Sequence, residues 1–368
     1  MLDDSGNKIT SPTSVTKKWL LESELYVTDG AIFYCIGSEE GGDCDELRIQ
    51  STGPDDWYEV RGHGGSMYFS HTVVTSWDTP NKKPQETYEG GRSFLNCVSE
   101  KLTGETCDGK AKNDEGECRM DIINSEMGYM GFFDAESYGL TWKVRGFCKD
   151  LSNPDVFETT NVYGDIKNSN IHHMYYGMYS YGHQGGVWTN NEMHDNHQYG
   201  FDPHDDSDYL TIANNKVYNN HNHGIIASKR CNNVQIYNNE VSDGGPEAVG
   251  IFLHRSSDNA EVYGGLYTYR GSDAPDVSNG RPNGNTFNNN KITNTAGGVK
   301  IKNSDNIVIS NNDFTGTEEL EFFDAQATTW SDNSLPSGVC IDNVTSDDGN
   351  SVPPSTFSSS SGVPSEEC

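Results

Sequence analysis

The stretch "NNEMHDNHQYGFDPHDDSDYLTIANNKV", residues 190–217, ends on the pattern with which it begins. Two asparagines, a charged residue and an apolar one start at Asn190 and Asn214. They return as "NNEV" at Asn238, "NNKI" at Asn289 and "NNDF" at Asn311. The first three copies lie 24 residues apart and the last two 22 apart. The 51-residue gap between Asn238 and Asn289 reads as two turns with a small insertion around "RGSDAPDVSNGRPNG". Short β-prone runs ("LTIA", "VQIY", "IVIS") precede the asparagines, and no apolar stripe of helical period is visible. A fixed period with one strand set per unit is the mark of a solenoid. The expected fold is all-β: a right-handed, single-stranded parallel β-helix, its stacked asparagines satisfying one another at a tight corner.

Composition agrees. Hydrophobic residues make up 33 % of the 368, glycines number 39, and charged residues stand at 22 %, which suits a turn-rich chain with a narrow core. The helix is expected over 1–345, less regular and clamped by disulfides before 160, with a Ser/Pro-rich disordered tail over 346–368. No apolar run is long enough to span a membrane, and no leader-like segment opens the sequence. A net charge of −30 argues against nucleic acid as a partner. None of the nine cysteines forms a CxxC pair. Cys35 with Cys44, and two among Cys97, Cys107 and Cys118, read as disulfides of an oxidising compartment, and the odd count leaves one thiol over. Secretion is expected, and the sequon at Asn343 is compatible with it.

Equivalent residues of successive turns stack about 4.8 Å apart, so the repeat predicts which side chains share a face. Gly177, Gly200, Gly224, Gly250 and Gly298 are equivalent, preceded by Tyr176, Tyr199, His223 and Val249. Two residues after the glycines come Tyr179, Asp202, Ile226, Phe252 and Lys300; four after come Tyr181, His204, Ser228, His254 and Lys302. Asp205, Lys229 and Arg255 follow in the central turns, and Gly139 places Thr141 and Lys143 in the same columns. Nine of the eleven histidines fall between His172 and His254. A groove of aromatic rings and cations around histidine and aspartate suits an extended anionic polysaccharide. Expected contacts to it come from Lys143, Tyr179, Tyr181, Asp205, His223, His254, Arg255, Lys300 and Lys302.

"YGFDPHDDS", with the following "HGIIASK", resembles the signature of the mannuronan C5-epimerases. "KKWLLESELYV", "VVTSWD", "GRSFL" and "ESYGLTWKV" are also similar, so the resemblance covers most of residues 17–320. Cysteine richness and the acidic surface point to the secreted brown-algal type, in an extracellular matrix or cell wall. The resemblance implies a β-helix that inverts C5 of β-D-mannuronate units within alginate, giving α-L-guluronate. It implies Tyr199, Asp202 and His204 as catalytic, with Lys229 neutralising the substrate carboxylate. In bacterial relatives a histidine directly precedes "YG" and is assigned as base. Here Gln198 intervenes, which leaves His197 and His204 competing for that role.

Two other readings stay open. A polyuronate lyase on the same fold abstracts the same proton and then expels the 4-O-linked sugar. A non-catalytic polysaccharide-binding β-helix needs the aromatics and cations but not the Tyr–Asp–His centre. No calcium-binding nonapeptide or EF-hand loop is present, so neither a metal nor another cofactor is expected. A monomer is expected.

Overall fold

The computed structural model describes residues 17–100, 115–134, 136–145, 160–204, 207–228, 231–254 (main chain only at 254), 284–336, 338–346, 348–351 and the main chain of 365–367. Each turn of the chain lays down three short strands. Val187–Thr189, Glu192–His194 and Phe201–His204 form one turn; Thr211–Ala213, Lys216–Tyr218 and Ile225–Ser228 form the next. Successive turns pair in parallel, Val187 on Thr211, Glu192 on Lys216 and Phe201 on Ile225. Among the described residues this builds a ten-stranded sheet and a 22-stranded sheet that carries two of the three faces.

The asparagine pair does two jobs. The first member turns the corner with a left-handed backbone, φ being 58° at Asn190, 57° at Asn214, 55° at Asn238, 54° at Asn289 and 56° at Asn311. Asparagine tolerates that conformation better than most residues. The second member is buried and forms a ladder. Asn191 donates its main-chain and side-chain N–H to Asn215 Oδ1 at 2.9 and 3.0 Å. Asn215 does the same to Asn239 Oδ1, Asn239 to Asn290, and Asn290 to Asn312. The inner sides of the strands fill the core with Met178, Phe201, Ile225, Ile251 and Val299 on one face and Trp188, Ile212, Ile236 and Phe287 on another, all 0 % exposed.

One reading of the sequence changes. Asn239 bonds directly to Asn290, and Glu240 pairs with Lys291, so the 51-residue gap is one turn with a long insertion, not two turns. Parallel pairing is present from the first described strand, Lys18–Leu21, which lies on Glu46–Gly53, and two short antiparallel pairings, at Ser51–Trp57 and Trp77–Pro84, interrupt the pattern before 160. At the other end Ser365–Glu367, in the segment expected as a disordered tail, pairs in parallel with Gly338–Asp342. Disulfides join Cys35 to Cys44 and Cys97 to Cys118, Cys340 is also disulfide-bonded, and Cys231 is buried, its thiol donating to the Ser228 carbonyl at 2.6 Å. No helix among the described residues is long and apolar enough to cross a membrane.

Candidate active site

Alternation along Phe201–His204 sends Phe201 and Pro203 into the core and leaves Asp202 and His204 on the outer side. Proline offers no N–H to a ladder, and here the strand is registered on Ile225–Ser228 only at Phe201. The strand is held at its far end by Ser207, whose hydroxyl donates to the His204 carbonyl at 2.7 Å. At its near end Gly200 makes the corner: a Cβ there would lie 2.5 Å from the Gly224 carbonyl oxygen and 2.7 Å from Val217 Cγ1. Tyr199, just before that corner, is not part of the strand. Freed from strand alternation, it faces the same cleft as Asp202 and His204.

The cleft encloses about 430 Å³. Its wall is a run of rings along the helix axis. Tyr138 stacks on Tyr176 with centroids 4.4 Å apart, Tyr176 meets Tyr199 at 5.0 Å, and Tyr199 stacks on His223 at 5.6 Å. Tyr179 lies 5.5 Å from the His204 ring. The predicted columns hold: Thr141 pairs with Tyr179 and Tyr179 with Asp202, while Lys143 pairs with Tyr181 and Tyr181 with His204. Further on, Phe252 pairs with Lys300 and His254 with Lys302.

The electrostatics keep the phenols of the cleft protonated. Asp202 is 2 % exposed. Burial first, and the Asp202 carboxylate next, push the Tyr199 phenol up to about 12. The same two causes raise Tyr138 and Tyr176. All three phenols therefore stay protonated near neutral pH. Burial, helped by the nearby Lys300 ammonium, pushes His223 down to about 4. Its Nδ1 accepts the Val249 N–H at 3.1 Å, which assigns the remaining proton of the neutral ring to Nε2.

Other predicted residues fall elsewhere. His197 lines an adjacent pocket, stacked on His221 at 5.8 Å and against Tyr88 at 4.2 Å. Lys143 ion-pairs with Glu136 at 3.0 Å, and Lys300 with Glu321. Lys302 sits 5.9 Å from the Phe323 ring. Beyond His223 and Phe252 the groove widens into a concavity of about 510 Å³, where Lys300 and Lys302 face Glu247, Glu318, Glu319 and Glu321. The cation stripe is thus partly balanced by the protein's own carboxylates. Asp205, Lys229, Arg255 and the side chain of His254 lie outside the described residues. Among the described residues no group of three or more His, Cys, Asp or Glu is placed to hold a metal ion. Tyr138 was missed, although "YG" at 138–139 repeats the "YG" of 176–177 and 199–200.

Residues 156–281 match a family described as a right handed beta helix region. A mannuronan C5-epimerase of Pseudomonas putida is 28 % identical over 251 residues, which is 67 % of this chain and 44 % of that protein. One from Pseudomonas fluorescens is 32 % identical over 123 residues, 33 % of this chain and 22 % of the other. The chain thus spans less than half the length of either. Among solved structures, the periplasmic alginate epimerase AlgG superposes with a TM-score of 0.54 at 19 % identity, over 90 % of this chain and 77 % of that one. By sequence, then, the chain is a relative of the mannuronan C5-epimerases, and by fold it is a right-handed parallel β-helix like AlgG.

Proposed function

We propose that the chain is a mannuronan C5-epimerase, converting β-D-mannuronate to α-L-guluronate within alginate. One observation carries this reading: Tyr199, Asp202 and His204 share a tyrosine-walled cleft on a β-helix related to such enzymes. The C5 proton is alpha to a carboxylate, so its removal needs a base on one sugar face and a donor on the other. In this proposal His204 takes the C5 proton, and the bonding pair moves into the carboxylate as an enediolate. The Tyr199 hydroxyl then gives its proton to C5 from the opposite face. Exchange with solvent returns a proton to the phenolate and removes one from the imidazolium. Burial, with the Asp202 carboxylate beside them, keeps the phenols protonated until that step.

The developing dianion needs positive charge or N–H donors. The neutral His223, with its proton on Nε2, supplies one donor, and Lys229 is proposed as the cation. His197 lines the pocket beyond Tyr175, so the base role goes to His204. Tyr179 is proposed to carry a sugar ring, whereas Tyr181, also expected there, is 6 % exposed and packs in the core. Lys143, Lys300, Lys302, Asp205, His254 and Arg255 are proposed to flank the polymer. The protein is proposed to be secreted and to act as a monomer on alginate in an extracellular matrix or wall; its disulfides fit an oxidising compartment.

Incubation with polymannuronate in deuterated water tests this. Guluronate signals with deuterium at C5 and unbroken chains are expected by NMR. Unsaturated chain ends, seen in the ultraviolet, mean a lyase; an unaltered polymer means a binding module.

A further inference from the structure

Beside the cleft the chain builds a second concavity, of about 330 Å³, within the range of small-ligand pockets (about 300–1,000 Å³). Residues leading into the strand Phe94–Glu100 supply its deepest group, Arg92, and one of its walls, Tyr88. Tyr129, stacked on His173 with centroids 4.6 Å apart, and His197 complete the ring surfaces.

Arg92 is 2 % exposed. Its Nε donates to the Gly131 carbonyl at 2.9 Å and its Nη2 to the Met130 carbonyl at 3.0 Å. Two of five N–H donors are thereby used. Among the described residues it has no ion-pair partner, whereas the acidic side chains at the rim are engaged. Glu86 holds Lys83 at 2.8 Å and Asp195 holds His194 at 2.6 Å. Glu89 acts on Arg92 only through space. Burial lowers the guanidinium to about 10, so it is still charged at neutral pH. A buried charge without a counter-charge is costly, and a carboxylate meets the guanidinium fork in matching geometry.

Position suggests where such a carboxylate comes from. Tyr175 touches Tyr88 at 5.4 Å and His197 at 5.1 Å on one side, and stacks on Tyr176 of the cleft at 5.4 Å on the other. One ring therefore separates the two concavities. We propose that this pocket is a second uronate subsite, in which Arg92 holds the carboxylate of a sugar unit remote from the reacting one in the same polyuronate chain. The proposal rests on the polyuronate reading of the cleft. The subsite would make affinity depend on chain length, since only long chains reach both places.

The test is calorimetric titration of wild type, Tyr88→Ala and Arg92→Gln with trimannuronate, with polymannuronate and with carboxyl-reduced polymer. Removal of the substrate carboxylates is expected to weaken wild-type binding at least tenfold. Each substitution is expected to weaken polymer binding about tenfold relative to trimannuronate, the loss of one charge-assisted or ring contact. Variants that bind polymer like wild type, or lose trimer and polymer affinity equally, overturn the subsite. If melting curves show that Arg92→Gln does not fold, Tyr88→Ala decides, because it leaves the bonds to Met130 and Gly131 in place. A wild type that binds the polymer without converting it overturns the epimerase reading alone, and the titrations still judge the subsite.

Discussion

Tyr199 lies against His223 with ring centroids 5.6 Å apart and planes only 12° from parallel. The two residues are 24 apart in sequence and occupy the same place in successive turns. That stacking fixes the phenol beside the buried Asp202 carboxylate, which helps keep it protonated. Tyr199→Phe is expected to lower kcat on polymannuronate by about 10²–10⁴, the usual worth of a positioned acid or base, with the polymer still bound. His204→Asn is expected to do the same. NMR conversion rates and calorimetry on one preparation check both halves.

The raised phenol has its own signature. Tyr199 loses its proton near pH 12 rather than near 10, so it remains an acid through the neutral and mildly alkaline range. Ultraviolet difference titration of wild type against Tyr199→Phe is expected to show a missing phenol with a midpoint near 12. A missing phenol that titrates near 10 contradicts its burial beside Asp202.

Gly200→Ala tests the corner that separates Tyr199 from the strand. The added methyl would sit 2.5 Å from a main-chain oxygen of the next turn, which cannot yield without moving the ladder. Destabilisation of about 1–3 kcal/mol is expected, typical of overpacking, together with a loss of activity larger than the stability change explains. Urea unfolding and conversion assays read the two effects separately. Full activity in a folded Gly200→Ala protein would mean that the corner does not set the geometry of Tyr199.

Much of this was legible from one period. The columns Tyr179–Asp202 and Tyr181–His204 follow from counting from the glycines, because parallel strands in register put equal offsets side by side. The early turns were not legible because serine takes the place of the ladder asparagine. Asn124–Ser125 and Asn168–Ser169 repeat the left-handed first residue, and Ser125 N–H donates to Ser169 Oγ while Ser169 N–H donates to Asn191 Oδ1. A search for Asn-Asn misses a position that needs only an acceptor oxygen. The spacing also misled at 238–289, since a length divisible into two turns can equally be one turn with an insertion. The ion pairs that engage Lys143 and Lys300 depend on side-chain reach, and Arg92 enters from a connection outside the repeat, so neither was visible in a column.

The asparagine ladder is expected to be the least replaceable part of the fold. Asn215 is 1 % exposed, donates to Asn239 Oδ1 and to the Trp188 carbonyl, and accepts the main-chain N–H of Asn191. Alanine there would strand several buried polar groups, each worth about 1–3 kcal/mol. Asn215→Ala is expected to lose more stability than alanine at Asn214, whose side chain makes exposed bonds to Thr189 and Asn238. Urea midpoints compare the two directly, and equal losses would remove the ladder from its structural role.

Acid is expected to unfold the protein through its buried histidines. His183 lies wholly inside, between Trp142 and Trp188 with centroids 6.1 and 5.3 Å away, and burial pushes it down to about 3. Such a group is neutral in the folded chain and takes up a proton on unfolding once the pH falls below its ordinary value of 6.5. Its contribution is therefore fully present above about pH 6.5 and lost progressively as the pH falls towards 3, where the unfolded chain holds the extra proton. His223, pushed down to about 4, acts in the same direction over the upper part of that window. The test is urea unfolding at a series of pH values followed by tryptophan fluorescence, with His183→Leu as the variant. The leucine removes the proton-linked penalty, so stability from urea unfolding should fall less steeply between about pH 6.5 and 4 than in wild type, whatever the variant's stability at pH 7. An unchanged slope would mean that His183 is not held neutral in the core.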